Sequence, residues 1–396
     1  MDEADWLAVM GGERRGVKAG VLRAGLSVLE PGYRLGNAVR SALFGCGLKR
    51  VKALGRPTVS IGNVTTGGTG KTPMVLWVCR VLMGMGVKPC VLTRGYRGGD
   101  EARELASALG GAVGGVGYGG ASRSQATGLN ETVAWVWPDA DRVRGARAAL
   151  AADEGIGVFV LDDGFQHRRA GRDLDWVLVD ATRPWGFGRL LPRGLLREPR
   201  GALRRADGVI VTRADRVPPE ELEALCGEVE GLTGRVPVAV GVHAWEGWRV
   251  VEAGVFREWQ AVEDGGPGVP PPGFSDIDRA LGGRVFGVCG IGNAGAFEGM
   301  LREAVAEAGG EVVHVEAKPD HHGYSWPELR ALLGMAESAG AGGGAIAVVT
   351  TEKDWVKWAE LLEGEELRVP VLRPVLSMRF TDGEAALERG LASLVG

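Results

Sequence analysis

The chain reads as an α/β protein: a P-loop NTPase-like parallel sheet flanked by helices, with a second, smaller α/β lobe and an N-terminal amphipathic helical segment. Three observations predict this. Short runs of Val, Ile and Leu recur between helical patterns, which is the pattern of parallel strands buried on both faces. One run, VSIGN at 59–63, leads into the glycine-rich turn VTTGGTGKT. Another, VFVLDDG at 158–164, ends on two aspartates, at the carboxyl edge where open α/β sheets bind ligands.

The N-terminal segment, 1–56, differs from the rest. Residues 13–56 carry Arg14, Arg15, Lys18, Arg23, Arg34, Arg40, Lys49, Arg50, Lys52 and Arg56 against only Glu13 and Glu30. Apolar residues at Val17, Val21, Leu22, Leu26 and Leu29, then at Leu35, Val39, Leu43 and Leu48, suit two amphipathic helices separated at Pro31. Such a basic pair either lies on an anionic membrane surface or packs on the domain with its arginines solvated.

A nucleotide-binding domain is expected over 57–235, with strands at 59–63, 87–95, 158–164, 176–181 and 208–215. The second lobe, 236–396, repeats the style at 236–243, 284–293, 311–322 and 345–354. Residues 110–130 read as a glycine-rich loop insertion, 264–276 as a surface loop and 339–344 as a flexible turn. Trp135, Trp137, Trp185 and Trp326 read as core.

The chemistry starts in the turn. Thr65, Thr66, Gly67, Gly68, Thr69 and Gly70 let backbone N–H groups converge on phosphate oxygens; Lys71 can reach the β- and γ-phosphates and the Thr72 hydroxyl can ligate Mg²⁺. The full pattern G-x-x-x-x-G-K-[ST] has glycine where Thr65 stands. Asp162 and Asp163, about ninety residues on, are the expected metal carboxylates. Gln166 and His167 follow closely enough for at least one to face the same cleft.

Charge and cysteine usage narrow the class. A net charge of −4 gives no global field for nucleic acid, so no nucleic-acid partner is expected. The five scattered cysteines form no C-x-x-C pair and suggest neither a zinc site nor a disulfide framework. No run of eighteen apolar residues spans a bilayer, and the acidic start MDEADW is no signal peptide.

IGNVTTGGTGKTP, LTRGYRGGDEA, VLDDGFQHRRAGRDLDWVLVDA, PWGFGRLLPRGLLREP, GIGNAGAF, PDHHGYS and TTEKDWVK stand in the order seen in the tetraacyldisaccharide 4′-kinases, and over about 15–360 the chain resembles that family. The resemblance implies a peripheral kinase at the cytoplasmic face of the inner membrane. Its implied donor is ATP with Mg²⁺, and its implied acceptor an acylated glucosamine disaccharide 1-phosphate; residues 13–56 would meet the anionic membrane surface. It further implies Asp100 as catalytic base and His321 as its partner, with Lys71, Gln166, Arg197 and Glu198 in the active site and Tyr96 and Arg142 near the nucleotide or substrate. Ala102 replaces the family's usual proline after Gly-Asp-Glu. Two alternatives compete: a P-loop kinase for a soluble small molecule, and a GTP-dependent switch or chaperone suggested by TRAD at 212–215, which echoes a guanine-reading [NT]-K-x-D. Lys353 and Asp354 either approach the nucleotide or form a strand-end salt bridge.

Overall fold

The computed structural model describes residues 3–95, 100–114, 133–255, 274–320, 322–340 and 346–396. Tyr96, His321, residues 341–344 of the expected turn at 339–344, and most of 110–130 and 264–276 lie outside them, as does the Asp100 side chain.

The chain opens with α1 (Glu3–Gly11) and α2 (Val17–Gly45). The expected break at Pro31 is corrected: α2 runs through it as one helix. Proline removes a single N–H donor from the ladder. Here hydrogen bonds from Tyr33, Asn37 and Arg40 to the body of the protein hold the following turns on the same axis.

The first half follows as β1 (Thr58–Asn63), α3 (Lys71–Gly84), β2 (Pro89–Thr93), α4 (Asp100–Leu109), β3 (Ala112–Val113), β4 (Trp135–Pro138), α5 (Arg142–Ala152), β5 (Val158–Asp162), β6 (Leu174–Asp180), β7 (Gly208–Thr212) and α6 (Pro219–Thr233). Next come β8 (Ala239–Val251), β9 (Gly254–Val255), α7 (Phe274–Leu281), β10 (Arg284–Cys289), α8 (Ala294–Glu307), β11 (Glu311–Ala317), α9 (Trp326–Gly340), β12 (Ile346–Thr350), α10 (Glu352–Leu362), β13 (Glu366–Leu367), β14 (Val371–Asp382) and α11 (Glu384–Val395).

Twelve strands form one sheet in the order β11-β10-β12-β14-β8-β7-β6-β1-β5-β2-β4-β3. Every neighbouring pair is parallel except β8 and β14. Alternation along a strand feeds both faces. On β5, Val158 and Val160 join a core with α3, α4 and α11, whereas Phe159 and Leu161 pack toward α5. On β10, Phe286 and Val288 face α9 and α10, while Val285 and Cys289 face α7 and α8. Trp137 and Trp185 are buried, and Trp135 and Trp326 pack partly buried on the cores.

The β8–β14 ribbon sets the geometry. β8 enters beside β7, with Ala239 opposite Ile210. β14 starts beside β12, with Val371 opposite Val348, and Val371 also faces Val251 at the far end of β8. The first half therefore attaches at one end of the ribbon and the second half at the other. Because β8 and β14 run oppositely, the carboxyl edges of the two halves point at each other across the ribbon's middle. Ligand sites of open α/β sheets lie at such edges. The last helix, α11, returns to the first half and buries Leu387 and Leu391 in the α3 core.

Candidate active site

β1 carries the chain to the carboxyl edge and the glycine-rich turn lifts it into α3. Gly67 and Gly70 take the left-handed region, at φ 109° and 89°, which favours glycine. Gly70 is the N-cap of α3 and no side chain caps that helix, so its first N–H groups stay available to an anion. A Cβ on Gly70 would lie 2.4 Å from His243 Nε2 on β8, so the ribbon itself supports the turn from beneath.

Thr65 has a separate explanation. It forms an antiparallel bridge with Leu196 and is buried. Thr66 N–H donates to the Leu195 carbonyl and Arg197 N–H to that of Val64, both at 2.7 Å. The LLREP segment is thus clipped onto the turn as a short extra strand. An extended, paired backbone needs no glycine.

The clip delivers Arg197 to the carboxyl edge of the first half. Its Nη1 donates to both carboxylate oxygens of Asp163, at 2.9 and 2.7 Å, and to Gln166 Oε1 at 3.3 Å. Lys71 Nζ lies 3.6 Å from Asp163. Gln166 Nε2 donates to the Asn63 carbonyl at 2.9 Å. The fold therefore brings Lys71, Asp163, Gln166 and Arg197 together from three separate segments.

Asp162 and Asp163 sit in opposed environments. Burial pushes the Asp162 carboxyl up to about 7, with Glu101 adding to the rise. Burial also acts upward on Asp163, but Lys71 and Arg197 outweigh it and hold that carboxyl below its ordinary range. Among the described residues no side chain hydrogen-bonds the Asp162 carboxylate. Arg142 is 2% exposed and donates to the Asp139 and Asp162 carbonyls, adding fixed positive charge beneath the pair.

Glu198 does not join this group. Its carboxylate takes a bidentate pair from Arg205, at 2.9 and 3.2 Å, and Arg205 lies over the Phe165 ring. Arg213 of TRAD is likewise turned to Asp180. Asp100 opens α4 at the same edge. The next residue, Glu101, belongs to the site electrostatically: burial raises it, and Lys71, Asp163, Arg142 and Lys353 all act on it. Glu101 carries no signal in the sequence beyond its place beside Asp100 at the start of the helix.

Facing these residues is the edge of the second half. Asp354 is fully buried, accepting from Gly290 N–H at 2.8 Å and from Tyr324 Oη at 3.2 Å. Lys353 pairs with Asp320 at 2.6 Å, and His322 Nε2 meets Glu328 at 2.9 Å. Both neighbours of His321 are thereby tied down.

α2 lies over the first-half motifs. Tyr33 Oη and Asn37 Nδ2 donate to the Arg197 carbonyl, Arg40 to that of Gln166, and Glu30 accepts from Leu190 N–H.

The family model of tetraacyldisaccharide-1-P 4′-kinase matches residues 22–395. Tetraacyldisaccharide 4′-kinase of Anaeromyxobacter sp. strain K is 37% identical over 386 residues, covering 96% of this chain and 94% of that protein. The enzyme of Anaeromyxobacter sp. strain Fw109-5 is 39% identical over 349 residues, covering 88% and 86%. The crystal structure of LpxK from Aquifex aeolicus in complex with ATP superposes with a TM-score of 0.61 at 24% identity, covering 95% of this chain and all of that one, and so shares the fold. With a match along nearly its whole length and relatives at this identity, the chain belongs to the tetraacyldisaccharide-1-P 4′-kinase family.

Proposed function

We propose that this chain transfers the γ-phosphate of ATP to the 4′-hydroxyl of a tetraacylated glucosamine disaccharide 1-phosphate. The observation that carries the reading is the grouping of Lys71, Asp163, Gln166 and Arg197 at the mouth of an uncapped helix N-terminus. Phosphoryl transfer needs positioned charge more than covalent chemistry, and this grouping supplies cations of fixed direction beside a phosphate cradle.

The Thr72 hydroxyl and the Asp162 carboxylate are hard oxygen donors of the kind Mg²⁺ takes, and among the described residues no side chain hydrogen-bonds that carboxylate. When bound, Mg²⁺ would neutralise charge on the phosphates. Lys71 orients the terminal phosphates, Gln166 and Arg197 hold the carboxylate side of the cleft, and Asp100 with His321 takes the proton of the acceptor hydroxyl. Base and partner come from opposite halves, so transfer awaits their approach, which also limits loss of phosphate to water.

Docking on an anionic bilayer at the cytoplasmic face of the inner membrane would spare the enzyme extraction of its acylated substrate. α2 supports this: Val17, Val21, Val28, Leu35 and Val39 are 84, 68, 78, 65 and 50% exposed and fall on one line of the helix, facing away from Glu30, Tyr33 and Asn37. No helix among the described residues is long and apolar enough to cross a membrane. Nucleotide competition during acceptor labelling tests the reading. ATP, not GTP, should support transfer; GTP preference without acceptor phosphorylation would instead favour a nucleotide switch.

A further inference from the structure

α4 begins at the reacting edge and ends against the ribbon. The last carbonyls of a helix need donors from elsewhere. Arg249 of β8 supplies two: Nη1 donates to the Ser107 carbonyl at 2.6 Å and Nη2 to that of Ala108 at 3.0 Å. Across the ribbon Arg249 stands directly opposite Arg373 of β14. Both guanidiniums converge on Glu352, the first residue of α10. Arg373 Nη1 lies 2.9 and 3.1 Å from its carboxylate oxygens and Arg249 Nη1 lies 3.4 Å away. Ser107 Oγ donates to the same carboxylate. Further along, Arg103 of α4 pairs with Glu360 of α10.

One carboxylate therefore joins α4, α10 and both ribbon strands. This is a demanding arrangement. Like charges directly opposite on paired strands repel, and Arg373 is only 8% exposed, lying 4.6 Å over the Trp355 ring. Apolar side chains of similar volume would hold the halves together at least as well. What apolar contact would not give is direction. The fork of Arg249 fixes the last turn of α4 relative to the ribbon, and a ten-residue helix carries that orientation about 15 Å to its first turn.

We propose that Glu352, together with Arg249 and Arg373, is a positioning device for the reaction. It sets the axis of α4 and so the place of Asp100 and Glu101 against Lys71 and Asp163. Because α10 belongs to the second half, the placement of that half is transmitted to a helix of the first. The proposal rests on the reading of Asp100 as the acceptor's base.

Two substitutions test it in the full chain. Arg249→Lys keeps the charge and loses the fork; Glu352→Gln keeps the shape and loses the charge. Each should lower kcat about tenfold or more while leaving the KM for ATP within about twofold. Combined with Asp100→Asn, Arg249→Lys should cost little more, because the group being positioned is already gone. Wild-type kcat in both single variants beside an impaired Asp100→Asn enzyme would overturn the positioning proposal alone. So would losses that simply multiply in the double variant, which indicate a general structural role. Wild-type turnover in Asp100→Asn would instead overturn the reading of the base on which the proposal rests. Should Glu352→Gln fail to fold, Arg249→Lys and its double variant decide the matter.

Discussion

Arg197 reaches across from the LLREP clip to Asp163 and donates to both of its carboxylate oxygens, at 2.9 and 2.7 Å, while Lys71 stands 3.6 Å from the same group. Two cations on one carboxylate leave neither fully committed, so Lys71 is free to turn to a phosphate. Arg197→Ala would remove one of the cations that balance Asp163 and draw Lys71 toward the carboxylate. The KM for ATP should rise and turnover fall, each by about tenfold. Steady-state kinetics check this; unchanged constants would show that Arg197 does not share the load.

Thr65 invites a substitution that a motif-based reading would favour. Thr65→Gly restores the full glycine-lysine pattern, yet Thr65 sits buried in the bridge to Leu196. Glycine there should destabilise the fold by about 1 kcal/mol through lost packing and added chain entropy, with no gain in ATP affinity. Denaturant unfolding and nucleotide titration measure the two effects. Tighter ATP binding in the variant would contradict the bridge account.

Removing 1–50 outright would be an ambiguous test of membrane docking, because Glu30, Tyr33, Asn37 and Arg40 also brace the loops that carry Leu190, Arg197 and Gln166. The outer line of α2 separates the two roles. Val28→Asp and Leu35→Asp should each weaken flotation with anionic vesicles while unfolding free energy stays within about 0.5 kcal/mol of the parent. Full retention on vesicles would contradict docking by this face.

His167 and His243 give the fold an acid limb. Burial, aided by Arg142 beside His167 and Arg213 beside His243, pushes each down to about 4. The unfolded chain holds histidine near 6.5, so between about 6.5 and 4 it binds more protons than the native state. Stability from these two groups is complete above about 6.5 and is lost as pH falls toward 4, with each histidine adding up to about 1.4 kcal/mol per pH unit to the slope. His243→Phe should flatten the slope by one proton's worth in urea titrations across this range. An identical slope in the variant would contradict the burial of a neutral imidazole.

Much of this architecture was legible in the residues. The runs at 59–63, 158–164 and 284–293 are continuous apolar segments with no competing period, and each became a central strand. β14 was harder to read: VLRPVLSMRFTD mixes Arg373, Pro374 and Arg379 into the strand, and its ladder is irregular where Pro374 gives way to Leu376. WVWP read as core tryptophans because four residues are too short to show a period. Pro31 announced a helix end that contacts along Tyr33, Asn37 and Arg40 override. At the site, Lys71, Asp162 and Asp163 follow from local pattern alone. The pairing of Asp163 with Arg197 does not, since it depends on a clip between segments about 130 residues apart. No spacing rule encodes the network of Arg249, Arg373 and Glu352 either, because it arises only where two strands and two helices meet.

Transfer of labelled γ-phosphate from ATP to a tetraacyldisaccharide 1-phosphate in mixed micelles, with the Lys71→Ala enzyme run alongside, decides whether this chain carries out the proposed reaction. The parent enzyme should form a labelled lipid bearing a new phosphate at the 4′ position, and the variant about a hundredfold less or lower still. Hydrolysis of ATP with no label in the lipid, or equal labelling by Lys71→Ala, would contradict the proposal.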